Sequence, residues 1–179
     1  MKEIVKNTKQ QFFAYRNGIV ADHLRKAGDP HKVIFGLNLP QIMQIGAMLG
    51  KNKDLATAFW TDENGCRESR LLAPMLMPGE EFTIDEALQW CQSVECIELA
   101  DVLCHRLLRN TSYANQLAQN LMASSNVMMQ YLALRLWANL LAIGKVADKA
   151  ELWQIAQQYA CNDALASVVS VIKDYCETE

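Results

Sequence analysis

Asp101 stands where the local pattern calls for an apolar residue, and that makes it the first side chain to ask about chemistry. Residues 95–109 carry Ile97, Ala100, Cys104, Leu107 and Leu108 at steps of three and four, the stripe by which a helix faces a core, and Asp101 falls along that stripe. A buried carboxylate without compensation takes up a proton or weakens the fold by several kcal/mol. Two readings follow: a structural hydrogen bond to a neighbouring helix end, or a cleft that admits a cationic partner.

Other chemistries find little footing. The chain has no Gly-rich phosphate loop, no Gly-x-Ser-x-Gly elbow and no His-Glu-x-x-His pair. His105 follows Cys104 directly, and adjacent helical residues diverge by about 100°, which argues against a Cys/His nucleophile pair. His23 and His31 read as surface residues. The six cysteines, Cys66, Cys91, Cys96, Cys104, Cys161 and Cys176, form no Cys-x-x-Cys pair. They read as small hydrophobes in a reducing compartment, and neither a metal nor another cofactor is expected.

The elements that must position Asp101 are helical. Apolar spacing of three and four recurs with cap signals, and alternating stretches are nearly absent. Thr83 precedes Glu86 by three residues and Asp148 precedes Glu151 by three, the spacing of a capping box. Helices are expected at residues 3–26, 38–50, 53–61, 66–77, 84–92, 95–109, 113–121, 126–143, 148–159 and 163–176. Met128, Met129 and the leucines up to Leu141 make one helix apolar all round, as in a central buried helix. Paired helices recur at about 35 to 40 residues, near the period of a HEAT-type array, whose concave face is where function is expected. The expected architecture is all-α: one HEAT-like-repeat α-solenoid domain over residues 1–179, with an N-terminal helix in 1–32 and repeats over 33–176.

The 179 residues are 51% apolar, enough to build a core, and the net charge of −3 conceals an uneven distribution. Residues 1–53 sum to +6 and residues 54–101 to −9, while the remainder balances. The basic block suits a phosphate backbone or a solvated lysine face. The longest apolar run is too short for a membrane span and residues 1–9 are too lysine-rich for a secretory segment, so a cytoplasmic location is expected.

Four stretches carry more than periodicity: Phe35-Gly36-Leu37-Asn38-Leu39-Pro40, Arg67-Glu68-Ser69-Arg70-Leu71-Leu72-Ala73, Glu98-Leu99-Ala100-Asp101, and Ser124-Ser125-Asn126 running on to Tyr131. In order and spacing they resemble the bacterial DNA alkylation repair family, the HEAT-like-repeat, AlkD-type group of alkylpurine DNA glycosylases. The family's versions are an aromatic-Gly-Val turn leading to Pro, an Arg-Glu-Glu-Arg-Leu-Leu-Ala helix, a Trp-Asp-Thr-Val-Asp stretch and a Ser-Glu-Asn-x-Trp-x-x-Arg stretch. The likeness covers about residues 33–176.

The resemblance implies an enzyme acting on a purine made cationic by N-alkylation, with an Asp stabilising the oxocarbenium-like sugar as the glycosidic bond breaks. That Asp matches Asp101. The family's accompanying Trp, Arg and second Trp match Ile97, Tyr131 and Ser170, so three of four working positions differ. Ile97 and Ser170 offer no flat face for stacking, and Tyr131 brings no charge to a phosphate. Arg135, one turn beyond Tyr131, and Arg106 or Arg109 are placed to substitute in part. The solenoid is also expected to be shorter than the family's.

The expected function is therefore binding of double-stranded DNA, damaged or intact, with weak or lost glycosylase activity. Asp101 is the surviving catalytic-position residue, and Tyr131, Arg135, Arg106, Arg109, Lys51 and Lys53 are the DNA-contacting candidates. The alternative is a non-catalytic scaffold that binds a protein partner on its concave face.

Overall fold

A computed structural model describes residues 1–177; residues 178 and 179 of the expected domain lie outside them. The described residues are all-helical, with one isolated parallel bridge between Val33 and Cys66 as the extended pairing. They divide into two compact units, one of residues 1–82 and one that begins at Thr83. No helix among them is long and apolar enough to cross a membrane.

The first unit holds α1 (Lys2–Ala14), α2 (Gly18–Lys26), α3 (Leu39–Leu49), α4 (Lys53–Trp60) and α5 (Arg67–Leu76), followed by a 3-10 turn at Gly79–Glu81. The single helix expected over residues 3–26 is two helices. Asn17 takes an extended conformation and its side chain accepts from the Val20 amide, which starts α2 afresh. Asn38 and Gln41 form a reciprocal capping box at α3, and Asn52 caps α4 through the Leu55 amide. The core is led by Phe12, whose ring lies 6.1 Å from that of Phe35 and 6.5 Å from that of Phe59.

A buried carboxylate organises the link between α2 and α3. Glu68, fully buried on α5, accepts from the backbone amides of Phe35 (3.1 Å), Gly36 (2.9 Å) and Leu37 (3.3 Å). Arg67 compensates it, with Nη1 donating to Glu68 at 3.0 Å and to the Leu37 carbonyl at 3.1 Å. Gly36 sits in the left-handed region at φ 82°, and a Cβ there would fall 2.2 Å from the Asn17 carbonyl oxygen. The second and first family-like stretches are thus one structural device.

The second unit holds α6 (Ile84–Gln92), α7 (Ile97–Arg106), α8 (Ala114–Met122), α9 (Val127–Ala142), α10 (Lys149–Ala156) and α11 (Ala166–Glu177), with 3-10 turns at Leu108–Asn110 and Gln157–Tyr159. The Thr83–Glu86 capping box is present in full; Asp148 accepts from the Glu151 amide at 2.8 Å, the forward half of the second expected box. Helix α9 packs against α6, α7, α8 and α11. Its apolar girth is what such a central position requires, and Leu132, Leu134, Leu136 and Leu140 are fully buried.

Candidate functional site: a clamped carboxylate between α7 and α9

On α7 the buried stripe is Leu99, Ala100, Val102, Leu103 and Cys104, continuing to Leu107. Ile97 is 51% exposed, so the expectation that it belongs to the core stripe is corrected. The buried face takes in Leu99, Val102 and Leu103 beside Ala100 and Cys104 instead of Ile97, which leaves Asp101 at its margin rather than in the core. The Asp101 side chain is 32% exposed.

Across from it, α9 begins at a well-fixed point. The Asn126 side chain accepts from the Met128 and Met129 amides at 2.8 and 3.3 Å, while the Gln130 amide group donates back to the Ser124 carbonyl at 2.9 Å. These contacts set the rotation of α9. Tyr131 and Arg135, four residues apart and therefore on one face, both come to Asp101.

The Tyr131 hydroxyl donates to Asp101 Oδ1 at 2.8 Å, and Arg135 Nη2 donates to Oδ2 at 3.0 Å. Arg135 Nε also lies 2.8 Å from Oδ1 but at an angle unsuited to a hydrogen bond, so that approach is electrostatic. Both carboxylate oxygens are engaged and one full positive charge stands against them. Burial raises the Tyr131 hydroxyl above its ordinary pKa, and the hydrogen bond and charge of Asp101 raise it further, so it stays a donor. The carboxylate is structurally paired, with side chains of α9 rather than with a helix end, and its cationic partner belongs to the chain itself.

His105 and Arg109 border this cluster. Burial lowers the His105 pKa, and Arg109, Arg106 and Arg135 lower it further against an opposing pull from Asp101. Both ring nitrogens of His105 and Nε of Arg109 are buried without a hydrogen-bond partner. Arg106 lies in the last turn of α7 and Arg109 in the 3-10 turn that follows. Ser170 is exposed on α11.

The remaining DNA-contacting candidates lie in the first unit. Lys51 Nζ donates to the Met77 carbonyl at 3.0 Å and Lys53 Nζ to the Glu81 carbonyl at 2.7 Å, so both tie down the chain that follows α5. Burial lowers the Lys51 pKa, partly offset by Glu80. His31, expected at the surface, is 9% exposed at its side chain, with Nδ1 2.8 Å from Asp29 Oδ1. The same Asp29 oxygen accepts from the His31 backbone amide at 2.9 Å, which holds the carboxylate against the edge of the ring. The Glu68 staple carried no assigned role in the sequence, although the Arg67–Ala73 stretch had marked its neighbourhood.

The family model described as DNA alkylation repair enzyme matches residues 8–164. A solved structure described as "a new family of proteins related to the HEAT-like repeat DNA glycosylases with affinity for branched DNA structures" superposes with a TM-score of 0.81 at 14% identity, over 95% of this chain and 74% of that one. At that identity the likeness establishes a shared HEAT-like-repeat fold. No curated protein matches the sequence.

Proposed function

The chain belongs to the DNA alkylation repair enzyme family, whose model it matches over residues 8–164, and on that premise we propose that it is a DNA-binding HEAT-like-repeat protein with weak or lost alkylpurine glycosylase activity. The supporting observation is the clamp on Asp101. An aspartate stabilises a sugar cation through its uncompensated negative charge. A guanidinium about 3 Å away cancels most of that field at the distance of a bound nucleotide. Ile97 and Ser170 add no aromatic wall that could hold an extruded nucleotide beside it.

The structural neighbour's affinity for branched DNA supports a non-duplex substrate for this chain as well. A binding site for branched DNA needs charge and shape rather than a catalytic carboxylate, and a neutralised Asp101 does not repel phosphate. Arg106, Arg109, Lys51 and Lys53 are the proposed phosphate-contacting residues, while Arg135 and Tyr131 stay engaged with Asp101.

The test combines two measurements on the purified protein. Titration of a four-way or three-way junction and of a matched duplex, each at several salt concentrations, should give tighter binding to the branched forms and a falling affinity with salt. Release of 7-methylguanine and 3-methyladenine should stay near background. Absence of any DNA binding at low salt would overturn the DNA reading and favour the protein-scaffold alternative, which the acidic stretch of residues 54–101 suits better.

A further inference from the structure

Helix α1 carries a second cationic feature, remote in sequence from Asp101. Lys2, Lys6, Lys9 and Phe13 follow one another at steps of four, three and four, so they share one face of α1. With Val5 and the ring of Phe35 they line a groove of about 510 Å³. That is the size range of a small-molecule or single-nucleotide site.

The two aromatic rings are held differently. Phe35 is fixed from behind: its amide donates to the buried Glu68 and its ring packs on Phe12. Phe13 is 56% exposed, and the Arg16 guanidinium lies 4.0 Å from its ring centroid. Lys9 Nζ meets Asp62 at 2.7 Å, which neutralises it in place and anchors α1. Lys2 and Lys6 are exposed, and they with Arg16 supply the positive charge around the aromatic pair.

We infer that this groove takes an unpaired nucleotide of single-stranded DNA, its base stacked at Phe13 and Phe35 and its flanking phosphates against Lys2, Lys6 and Arg16. Paired bases keep their faces in the helix stack and present only edges and phosphates, whereas an unpaired base offers a face to an aromatic ring. Cations spaced along a helix beside exposed aromatics form a platform suited to such a strand. The inference rests on the DNA-binding reading above and names which part of a branched molecule the first unit would hold.

The experiment titrates the full chain with oligo(dT), with a junction bearing an unpaired dT flap, with the same junction fully paired, and with duplex. Phe13→Ala, chosen because the ring is exposed and its loss leaves the core intact, should weaken binding to oligo(dT) and to the flap junction by about fivefold to a hundredfold. Binding to the paired junction and duplex should be unchanged. Lys2→Gln with Lys6→Gln should flatten the log-affinity against log-salt slope for oligo(dT) by about 1.4, at about 0.7 for each phosphate no longer neutralised.

Phe13→Leu, which keeps apolar bulk but removes the stacking face, should behave like Phe13→Ala. If it binds like the parent, the groove is an apolar contact and the stacking inference falls. Normal binding to every DNA by all the variants would overturn the inference while leaving the DNA-binding reading intact. Loss of all DNA binding by the parent chain would remove both. Binding to vesicles of phosphatidylserine that Lys2→Gln, Lys6→Gln and Phe13→Ala abolish, with oligo(dT) binding unaffected, would reassign the face to a membrane surface.

Discussion

Arg135 approaches Asp101 through two nitrogens, Nη2 at 3.0 Å from Oδ2 and Nε at 2.8 Å from Oδ1, so the Asp101 carboxylate is part of an interhelical ion pair. The pair joins α7 to α9, and the Tyr131 hydroxyl completes it. A carboxylate held in this way contributes first to the packing of the two helices.

That structural role can be measured by a double-mutant cycle. Asp101→Asn and Arg135→Gln should each lower unfolding stability by about 1 to 2 kcal/mol, and the double variant should lose less than the two combined, by about 0.5 to 1 kcal/mol of coupling. The figures are kept low because both side chains are roughly a third exposed, where water screens the pair. Urea denaturation of the four proteins reads the cycle. A coupling of zero would mean that the two groups are independently solvated.

The buried Glu68 should matter more. Glu68→Gln retains the size but loses the charge that holds three backbone amides and Arg67, and leaves that guanidinium uncompensated in the interior. A loss of about 3 kcal/mol is expected by chemical denaturation. Gly36→Ala should be at least as damaging, because its Cβ would meet the Asn17 carbonyl oxygen at 2.2 Å. A near-neutral Glu68→Gln would show that the staple is redundant with packing.

Thiol chemistry should separate the cysteines by burial. Burial pushes Cys91 to about 12 and Cys66 to about 11, and it raises Cys104 as well. At pH 8 these stay protonated and shielded, while Cys161 is exposed. An aromatic disulfide reagent should therefore modify Cys161 rapidly in the native protein, and Cys66, Cys91 and Cys104 only after denaturant is added. Rapid native labelling of Cys104 would indicate that α7 and α9 open readily.

Much of this architecture is legible in the sequence because its signals are local. The Thr83 and Asn126 helix starts follow from side chains that satisfy amides two or three residues away. The break between α1 and α2 is hidden although Asn17-Gly18 stands at the join, because apolar spacing runs on across it. Ile97 shows the converse error: an apolar residue in the first turn of a helix carries the period without carrying burial. The Asp101–Arg135 pair joins residues 34 apart, and only the repeat period relates them. Arg135 stands out in the sequence as a nearby cation, but its partner depends on the rotation of α9. Glu68 is invisible as a staple because its partners are backbone amides, which no side-chain pattern reports.

His105 links this cluster to pH. Its pKa is lowered by burial and by the arginines Arg109, Arg106 and Arg135, so the unfolded chain binds a proton at this residue more readily than the folded one. The contribution of neutral His105 is fully present above the unfolded value of about 6.5 and is lost as pH falls through the lower folded value. Stability followed between pH 7.5 and 5 should decline on the acid side, and His105→Phe should flatten that decline. An unaltered profile would assign the acid sensitivity to the carboxylates instead.

The phosphate-contacting candidates can be told apart by their salt dependence. Arg135 is committed to the Asp101 carboxylate, and Arg106 and Arg109 stand close together in sequence where α7 ends. If both of those contact phosphate, Arg106→Gln with Arg109→Gln should flatten the log-affinity against log-salt slope for duplex or junction by about 1.8, at about 0.9 for each. Arg135→Gln alone should leave the slope nearly unchanged and act on stability. A slope change of about 0.9 from Arg135→Gln would mean that the guanidinium leaves Asp101 for phosphate when DNA binds. That exchange would free the carboxylate beside the nucleic acid, and it would call for the release assay to be repeated with Asp101→Asn as the control.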